Sequence, residues 1–463
     1  MKNQQLQNAL AFWKKLSTGS VNRQIFAAAI IVTGMTVLVK IASIGKEFVV
    51  AWSFGTSNSV DAFVIALLLP QFIANVVAAP FKPALIPTYI RVREQQGQQQ
   101  AQKLLSGAIS YVIGLLILAT ILMVAFAPLY LPAIASGFDS SKLNLTFLLL
   151  LGISPLIVLK GMVTIWGAVL NSGERFALAA LLPIIIPALS IILILNFPSW
   201  GIFALVAGLI GGNILQIILL GASLRRNGIS LMPKLSKFDS NLKEVFGLYK
   251  ASAAAAFLMG STKLVDQSMA AMLAPGSVAA LSYGNKLTAL PLTLATIGLS
   301  TALMPYFSKM IAREDWRGVK RTLKHYLKLI FFTTIPLTII LLVFAVPIVR
   351  VLLERGAFTA NDTSLVAYIQ GLYSLQIPFY VANVLMIRLI TSMRLNHLII
   401  WTCAINLLIN ILFNILLIKW IGIAGIALST SLVYVVCFSV NFIFVTRKMS
   451  QIDRNNCRSK NIV

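Results

Sequence analysis

Twelve long apolar segments limit what this chain can fold into. Each holds about 20 or more mostly apolar residues, the length that an α-helix needs to cross a bilayer. The 463 residues are 58% hydrophobic and only 11% charged, which excludes an ordinary soluble domain. We therefore predict an all-α polytopic membrane protein with about twelve transmembrane helices. The expected helix cores are residues 25–53, 58–83, 103–128, 143–170, 176–196, 200–224, 244–273, 277–308, 324–349, 364–390, 396–418 and 422–446.

Positive charge alternates between the loops that connect these segments. Lys and Arg are concentrated at the N-terminus, in the second, sixth and eighth loops, and in the C-terminal tail. By the positive-inside rule both termini are cytoplasmic, and an even number of spans agrees with that. The formal net charge of +25 is thus explained by loops on one side of the membrane, and we expect no nucleic-acid partner.

The two halves of the chain repeat each other. Ala84-Leu-Ile-Pro87 recurs as Ala302-Leu-Met-Pro305, and Ser59-Val60 recurs as Ser277-Val278. Each half has six spans, so the halves share one orientation, and two such lobes around a central cavity are typical of alternating-access transporters. The predicted division is an N-terminal six-helix lobe (1–224), a cytoplasmic linker (225–243), a C-terminal six-helix lobe (244–447) and a cytoplasmic tail (448–463), with the lobes pseudo-symmetric.

Several apolar segments carry charge at bilayer depth, where an ionisable group costs about 2.5–3.5 kcal/mol on insertion scales. Such groups face a partner or a water-filled cavity. The cations are Lys40, Lys46, Lys82, Lys160, Lys250, Lys263, Lys286, Lys328 and Arg388, and the acids are Glu47, Asp61 and Asp266. This excess of positive charge suits phosphate or pyrophosphate oxygens. We predict a cationic substrate cavity lined by Lys40, Lys46, Glu47, Asp61 and Lys286.

Simpler interpretations remain for some of these charges. Lys82, Lys250 and Lys328 lie near cytoplasmic helix ends, where long side chains reach the surface. Lys263 and Asp266 are three residues apart on one helix face and could neutralise each other. Glu47 and Asp61 could hold the lysines in place or act in gating.

A polar face on the last two spans is a second candidate site. Asn406, Asn410 and Asn414 recur every four residues, and Thr430 follows on the next helix. One interpretation is hydrogen bonding between helices. The other is a site for a monovalent hard cation, because neutral oxygens with one carboxylate suit such an ion. Its ligands would be Asp266, Asn410, Asn414 and Thr430.

Short stretches along most of the chain, from Gly45-Lys46-Glu47 to Arg355-Gly-Ala-Phe358, resemble the MurJ (MviN) lipid II flippases of the MOP exporter superfamily. The matching stretches are Gly45-Lys46-Glu47, Phe54-Gly55, Asp61-Ala62-Phe63, Leu69-Pro70, Ala84-Leu-Ile-Pro87, Ser282-Tyr283-Gly-Asn-Lys286-Leu287, Leu290-Pro291, Ala302-Leu-Met-Pro305 and Arg355-Gly-Ala-Phe358. The resemblance implies a flippase of the bacterial inner membrane. Its expected substrate is a polyprenyl-pyrophosphate-linked sugar precursor, with lipid II as the first candidate.

The chain departs from this family at the charges of the cavity. The family's essential arginines fall on Lys40, Lys46 and Lys286, and its second-span arginine pair falls at about Ala74-Asn75. Lysine cannot form the bidentate fork that arginine forms. Many relatives also have two further helices. Some resemble a sodium-coupled design, whose ion ligands map onto Asp266 and the polar residues above, with Asn414 in place of an acid.

Three other functions are compatible with a two-lobed membrane protein of this kind. They are a flippase for another lipid-linked oligosaccharide, such as an exopolysaccharide unit, a multidrug exporter, and a scaffold for wall-synthesis enzymes. Drugs are mostly cations, which a positive cavity disfavours. The sequence has no catalytic constellation, so we expect neither an enzyme nor a cofactor. We expect transport to be coupled to Na⁺ or to the membrane potential. The expected partners are the substrate, the bilayer and cell-wall synthesis proteins, and the chain is expected to be a monomer.

Overall fold

The computed structural model describes residues 21–172, 176–226, 239–393 and 395–460, and the regular structure of these residues is helical throughout. The α-helices are α1 (Val21–Phe54), α2 (Asn58–Ile73), α3 (Phe81–Gln96), α4 (Gln98–Ala125), α5 (Ala127–Ile134), α6 (Ser140–Ile153), α7 (Leu156–Ser172), α8 (Phe176–Leu181), α9 (Ile185–Asn196), α10 (Phe203–Arg226), α11 (Ser240–Ala271), α12 (Ser277–Ala312), α13 (Trp316–Val343), α14 (Ala345–Leu353), α15 (Ala360–Ser374), α16 (Ile377–Ser392), α17 (Asn396–Ile421) and α18 (Ala424–Lys460).

These helices form twelve crossings. Within the described residues, nine helical segments are long and apolar enough to cross a membrane. Some of them join two helices, as α2 and α3 do across the π-helical turn Ala74–Ala78. The three remaining long helices, α1, α11 and α12, carry the charged residues Lys46, Lys263 and Lys286 within their length. The predicted all-α fold with about twelve membrane helices is confirmed.

The helix pattern of the first half recurs in the second. In each half a long helix, α4 or α13, is followed by a short one, α5 or α14, and then by a broken crossing. The break lies at Ser154-Pro155 between α6 and α7, and before Pro378 between α15 and α16. Proline lacks the N–H that would continue the helical hydrogen bonds. Two pseudo-symmetric six-helix lobes are the result.

The sequence placed the end of the ninth span too far along the chain. It predicted a helix to residue 349, whereas α13 ends at Val343 and the short helix α14 follows. Phe344 leaves the helical conformation, with φ −95° and ψ 17°. The apolar sequence runs on through this corner, so hydropathy gives no sign of it.

Large apolar side chains cover the outer surface as well as the interior. Trp420 is 83% exposed and Phe332 79% exposed. A soluble protein rarely exposes apolar patches of this extent, whereas lipid is a suitable solvent for them. The lobes contact each other through the first two crossings of each: α1 and α2 pack on α12, and α3 packs on α11. A cavity between the lobes is therefore walled by these helices.

The topology can be tested by labelling single cysteines introduced at exposed loop positions of a variant without native cysteines. If both termini are cytoplasmic, a membrane-impermeant maleimide added outside should label Ser136→Cys and Ser199→Cys. It should label Gln98→Cys and Arg317→Cys only after permeabilisation. The reverse pattern would overturn the orientation.

Candidate functional site

A carboxylate shared by two lysines lies between the lobes. Glu47 on α1 accepts a hydrogen bond from Lys46 Nζ at 2.8 Å and another from Lys286 Nζ of α12, also at 2.8 Å. Lys286 belongs to the C-terminal lobe, so this ion pair joins the two lobes. Because two cations share one anion, the cluster keeps one net positive charge.

The cluster lies deep in the membrane. Lys46, Lys263 and Lys286 are each eight or nine residues from the end of their helix on the predicted outer side. At 1.5 Å per residue that is a depth of about 12–14 Å. Charge at this depth needs a partner or a hydrated cavity. The side chain of Lys286 is 43% exposed although it pairs with Glu47, so it faces open space within the protein.

Lys263 stands beside the cluster without a counter-ion. It lines a space of about 340 Å³ together with Lys286, and an adjoining space of about 330 Å³ together with Gln71 and Asn75 of the second crossing. Among the described residues no ion pair or hydrogen bond holds its ammonium group. The expected neutralisation of Lys263 by Asp266 is not found. The cavity therefore has more positive charge than the Glu47 cluster alone supplies.

Lys40 is not brought into this cluster. It lies six residues before Lys46 on α1, which places it about 9 Å further along the helix and about 120° around it. Its side chain is partly buried and makes no ion pair with a described residue. Of the five residues predicted to line the cavity, the structure brings together Lys46, Glu47 and Lys286.

Asp61 lies outside the cluster formed by Lys46, Glu47 and Lys286. It is 1% exposed and accepts a hydrogen bond from Lys142 Nζ at 2.7 Å. It also accepts hydrogen bonds from the backbone N–H groups of Gly276 and Ala279, both at 2.7 Å. These N–H groups begin α12 of the other lobe, where a carboxylate is favoured by the unpaired amides and the helix dipole. Asp61 therefore fastens the lobes together and does not line the cavity with the lysines.

Lys142, the partner of Asp61, was missed in the sequence. Its ammonium group also donates to Asn58 Oδ1 at 2.9 Å and lies 3.9 Å from the ring centroid of Phe138. Lys142 sits in the first turn of α6, where a cation is disfavoured by the helix dipole. A lysine at such a position in an apolar helix needs an acid elsewhere, and that signal was present in the sequence.

Further hydrogen bonds to backbone carbonyls hold the lobes together on the predicted outer side, near Asp61. The Tyr283 hydroxyl donates to the Gly55 carbonyl at 3.1 Å, and the Ala357 N–H donates to the Trp52 carbonyl at 2.8 Å. Gly276 has φ +84°, and a Cβ there would lie 2.7 Å from the Thr56 carbonyl oxygen. A side chain at this glycine would therefore be strained and would push the lobes apart.

The lobes also meet on the predicted cytoplasmic side. Arg91 at the end of the second crossing pairs with Glu244 of α11 at 2.5 Å, and both side chains are more than 40% exposed. The ring of Phe81 packs 4.3 Å from that of Tyr249 and 5.6 Å from that of Phe246. The cavity thus has a contact between the lobes on each side. The outer one is buried, and the inner one combines an exposed ion pair with the buried ring of Phe81.

The second candidate site forms a polar cluster in the C-terminal lobe. Asp266 is 8% exposed and accepts hydrogen bonds from Asn410 at 3.0 Å, Asn414 at 2.7 Å and the Thr430 hydroxyl at 3.4 Å. The oxygen Asn414 Oδ1 is buried and has no partner, as is Gln267 Oε1 one residue after Asp266. The three helices α11, α17 and α18 are joined here.

These oxygens fit a monovalent cation better than a divalent one. Asp266 is the one carboxylate of this cluster, whereas calcium or magnesium would normally receive more acid. Within the described residues no group of three or more His, Cys, Asp or Glu is placed to hold a metal ion.

The fold and the site together define a two-lobed helical membrane transporter with an anion-attracting cavity. A family model described as "Lipid II flippase MurJ" matches residues 50–460. The chain belongs to the MurJ lipid II flippase family.

Individual relatives are distant but extend over most of the chain. The Probable lipid II flippase MurJ of Synechocystis sp. is 24% identical over 431 residues, covering 89% of this chain and 80% of that protein. The Lipid II flippase MurJ of Burkholderia cenocepacia is 25% identical over 361 residues, covering 76% and 70%.

Two solved structures have a similar fold. A structure of "Lipid II flippase MurJ, inward closed conformation" superposes with a TM-score of 0.78 at 25% identity, covering 90% of this chain and 87% of that one. An inward-facing multidrug resistance MATE transporter of the MOP superfamily reaches a TM-score of 0.72 at 12% identity, covering 92% and 99%. The latter shows a shared fold.

The buried Asp61–Lys142 pair leads to a stability prediction. Asp61→Asn leaves the buried ammonium of Lys142 without its counter-ion, and breaking a buried pair in this way costs about 3–5 kcal/mol. Glu244→Gln removes an exposed pair and should cost about 1 kcal/mol or less. Reversible unfolding of the two purified variants measures both values. Equal losses would show that the Asp61–Lys142 pair is not the costly buried interaction that its geometry indicates.

Proposed function

We propose that this protein moves lipid II across the bacterial cytoplasmic membrane by alternating access through the cavity between its lobes. The observation that carries this proposal is the lysine-rich cavity: Lys46 and Lys286 share Glu47, and Lys263 has no counter-ion. Such a cavity favours an anion within the membrane. Family membership makes the polyprenyl-pyrophosphate-linked precursor lipid II the natural anion.

Each residue of the cluster has a physical task in this proposal. The ammonium groups of Lys286 and Lys263 donate charge-assisted hydrogen bonds to pyrophosphate oxygens. Glu47 holds Lys46 and Lys286 within reach of each other when no substrate is bound. It also limits the net charge, so that the anion is attracted without being held too tightly to leave. No bond of the substrate is made or broken.

Alternating access requires the two closures to open in turn. The outer closure buries the Asp61–Lys142 pair, and the inner closure has the exposed Arg91–Glu244 pair. An exposed pair is worth about 1 kcal/mol or less, so opening the inner side mainly costs the packing of Phe81 on Tyr249 and Phe246. Opening the outer side separates Asp61 from the amides of α12, and that cost has to be met by substrate or ion binding. In this scheme both termini are cytoplasmic.

A sodium ion is the proposed coupling ion. It would bind at Asp266, Asn414 and Thr430, where Asn414 Oδ1 is buried and without a partner. A cation there would tie together α11, α17 and α18 and favour one arrangement of the C-terminal lobe through its differential affinity. Lys263 lies on the same helix as Asp266, three residues away. Ion binding could therefore move a cavity lysine directly.

A flippase for another lipid-linked oligosaccharide is the second candidate. Its supporting observation is that Gln71 and Asn75 line the same space as Lys263, and their amides can bind sugar hydroxyls beside the charge. The pyrophosphate end is common to both kinds of substrate, and the amides would contact the sugars.

The first test is complementation of a bacterium depleted of its own lipid II flippase. The protein should restore growth, and Lys286→Gln and Lys263→Gln should reduce it strongly, since each removes a charge while keeping length and polarity. Lys286→Arg should be tolerated better. Lys82→Gln, an exposed lysine near the cytoplasmic end of the second crossing, is the matched control and should behave like the parent.

Failure of the parent protein to complement, with rescue of an exopolysaccharide flippase mutant instead, would transfer the proposal to the second candidate. Normal growth with both cavity variants at parental expression would rule out the lysines as the binding groups.

Coupling is tested by flipping in vesicles with and without an inward sodium gradient. Replacing sodium by choline should slow the parent protein. Asp266→Asn, which removes the only carboxylate of the site, should be slow in both conditions. Asn406→Ala lies on the same face of α17 but contacts Cys437 and not Asp266, so it should keep the sodium dependence. A parent protein indifferent to sodium would assign coupling to the membrane potential.

A further inference from the structure

A long groove runs along the lipid-facing side of the C-terminal lobe, between α13 and α18. Its volume is about 930 Å³. None of its lining residues also lines the spaces beside Lys263 and Lys286. The groove is therefore separate from the cavity between the lobes, and the proposed function makes no use of it.

The two ends of the groove differ in chemistry. Its basic end is formed by Lys320, Lys324 and Lys328, which follow one another at four-residue intervals on one face of α13. Its apolar end is walled by Phe331 and Phe332 of α13 and Phe442 of α18. A ligand that fits both ends has an anionic head and a hydrocarbon chain.

The length of the groove matches one leaflet of a bilayer. From Lys320 to Pro336 there are sixteen residues, which span about 24 Å of helix. One leaflet with its headgroups is about 20–22 Å thick, half of the usual 40–45 Å. By the predicted topology the basic end lies at the cytoplasmic surface, so the groove extends through the inner leaflet to about the middle of the bilayer.

The lysines at the basic end of the groove would be stabilised by a bound anion. Lys324 and Lys328 are exposed and form no ion pair with a described residue. Like charges four residues apart on a helix repel each other, and an anion between them removes that cost. The inner leaflet is the side rich in anionic lipid, which attracts lysines at its surface.

The opposite wall of the basic end is polar. The hydroxyl groups of Thr446 and Ser450 on α18 donate to backbone carbonyls of their own helix, at 2.8 and 2.9 Å. Their oxygens keep lone pairs that can accept a hydrogen bond from a headgroup hydroxyl. A phosphate with a glycerol headgroup would bind the lysines of α13 through its phosphate and donate hydrogen bonds to these oxygens through its hydroxyl groups.

We propose that this groove binds one anionic phospholipid of the inner leaflet. Lys324 and Lys328 bind its phosphate, and Phe331, Phe332 and Phe442 contact an acyl chain. The bound lipid fills the space between α13 and α18 and stabilises their packing.

Native mass spectrometry and thermal unfolding of the purified full-length protein test this site. Phosphatidylglycerol should bind with a stoichiometry of one at this site and raise the melting temperature, and phosphatidylcholine with the same chains should do neither. The double variant Lys324→Gln/Lys328→Gln should bind phosphatidylglycerol about 30-fold more weakly, from two surface lysines. Arg447→Gln/Lys448→Gln removes two charges from the same end of α18 outside the groove and should bind normally.

A measurement on the parent protein keeps the proposal testable if the double variant does not fold. Raising the salt concentration should weaken phosphatidylglycerol binding, because the interaction with the lysines is screened. Equal binding of both lipids, no effect of salt, or undiminished binding by a folded double variant would overturn the proposal. Displacement of phosphatidylglycerol by an equal concentration of a polyprenyl pyrophosphate would also overturn it and would assign the groove to the tail of the substrate.

Discussion

The shared use of Glu47 by Lys46 and Lys286 is the interaction on which the rest of the account depends. A lone charge 12–14 Å inside a bilayer is too costly to keep, at about 2.5–3.5 kcal/mol or more. Pairing lowers that cost, but two ammonium groups and one carboxylate leave one net positive charge. The remaining charge, with that of Lys263, requires a hydrated cavity, and the lobes have to be arranged around it.

Three polar contacts between the lobes lie at different depths and differ in strength. On the predicted outer side buried Asp61 accepts hydrogen bonds from the Gly276 and Ala279 N–H groups. Glu47 with Lys286 is partly exposed in the middle, and Arg91 with Glu244 is exposed on the inner side. Buried pairs are costly to break and exposed ones are not. This gradient makes the inner polar contact the easiest of the three to break. It also gives the empty protein a reason to rest with its outer side closed, where it would receive a substrate made in the cytoplasm.

The sequence was sufficient for the fold because the bilayer imposes helix lengths and the two halves repeat one another. It also singled out Lys46, Glu47 and Lys286, which the structure brings into contact, since charges in apolar helices stand out whatever their partners are. The sequence could not show which side chains these charged groups contact. Asp61 looked like a cavity residue until the structure placed it against Lys142 and the first amides of α12, and Lys142 looked like the end of a loop. Asp266 was three residues from Lys263, yet its oxygens face α17 and α18. Such choices depend on which helix faces pack together, which periodicity alone does not reveal.

The central claim is that this one chain, with its cationic cavity, carries lipid II across a membrane. The most direct measurement uses purified protein in vesicles that contain fluorescent lipid II, with a membrane-impermeant quencher added outside. The account predicts that lipid II from the inner leaflet becomes accessible much faster than in protein-free vesicles. It also predicts that a polyprenyl phosphate, with less charge and no sugar, competes poorly. Folded protein that leaves the rate at the protein-free value would contradict the account.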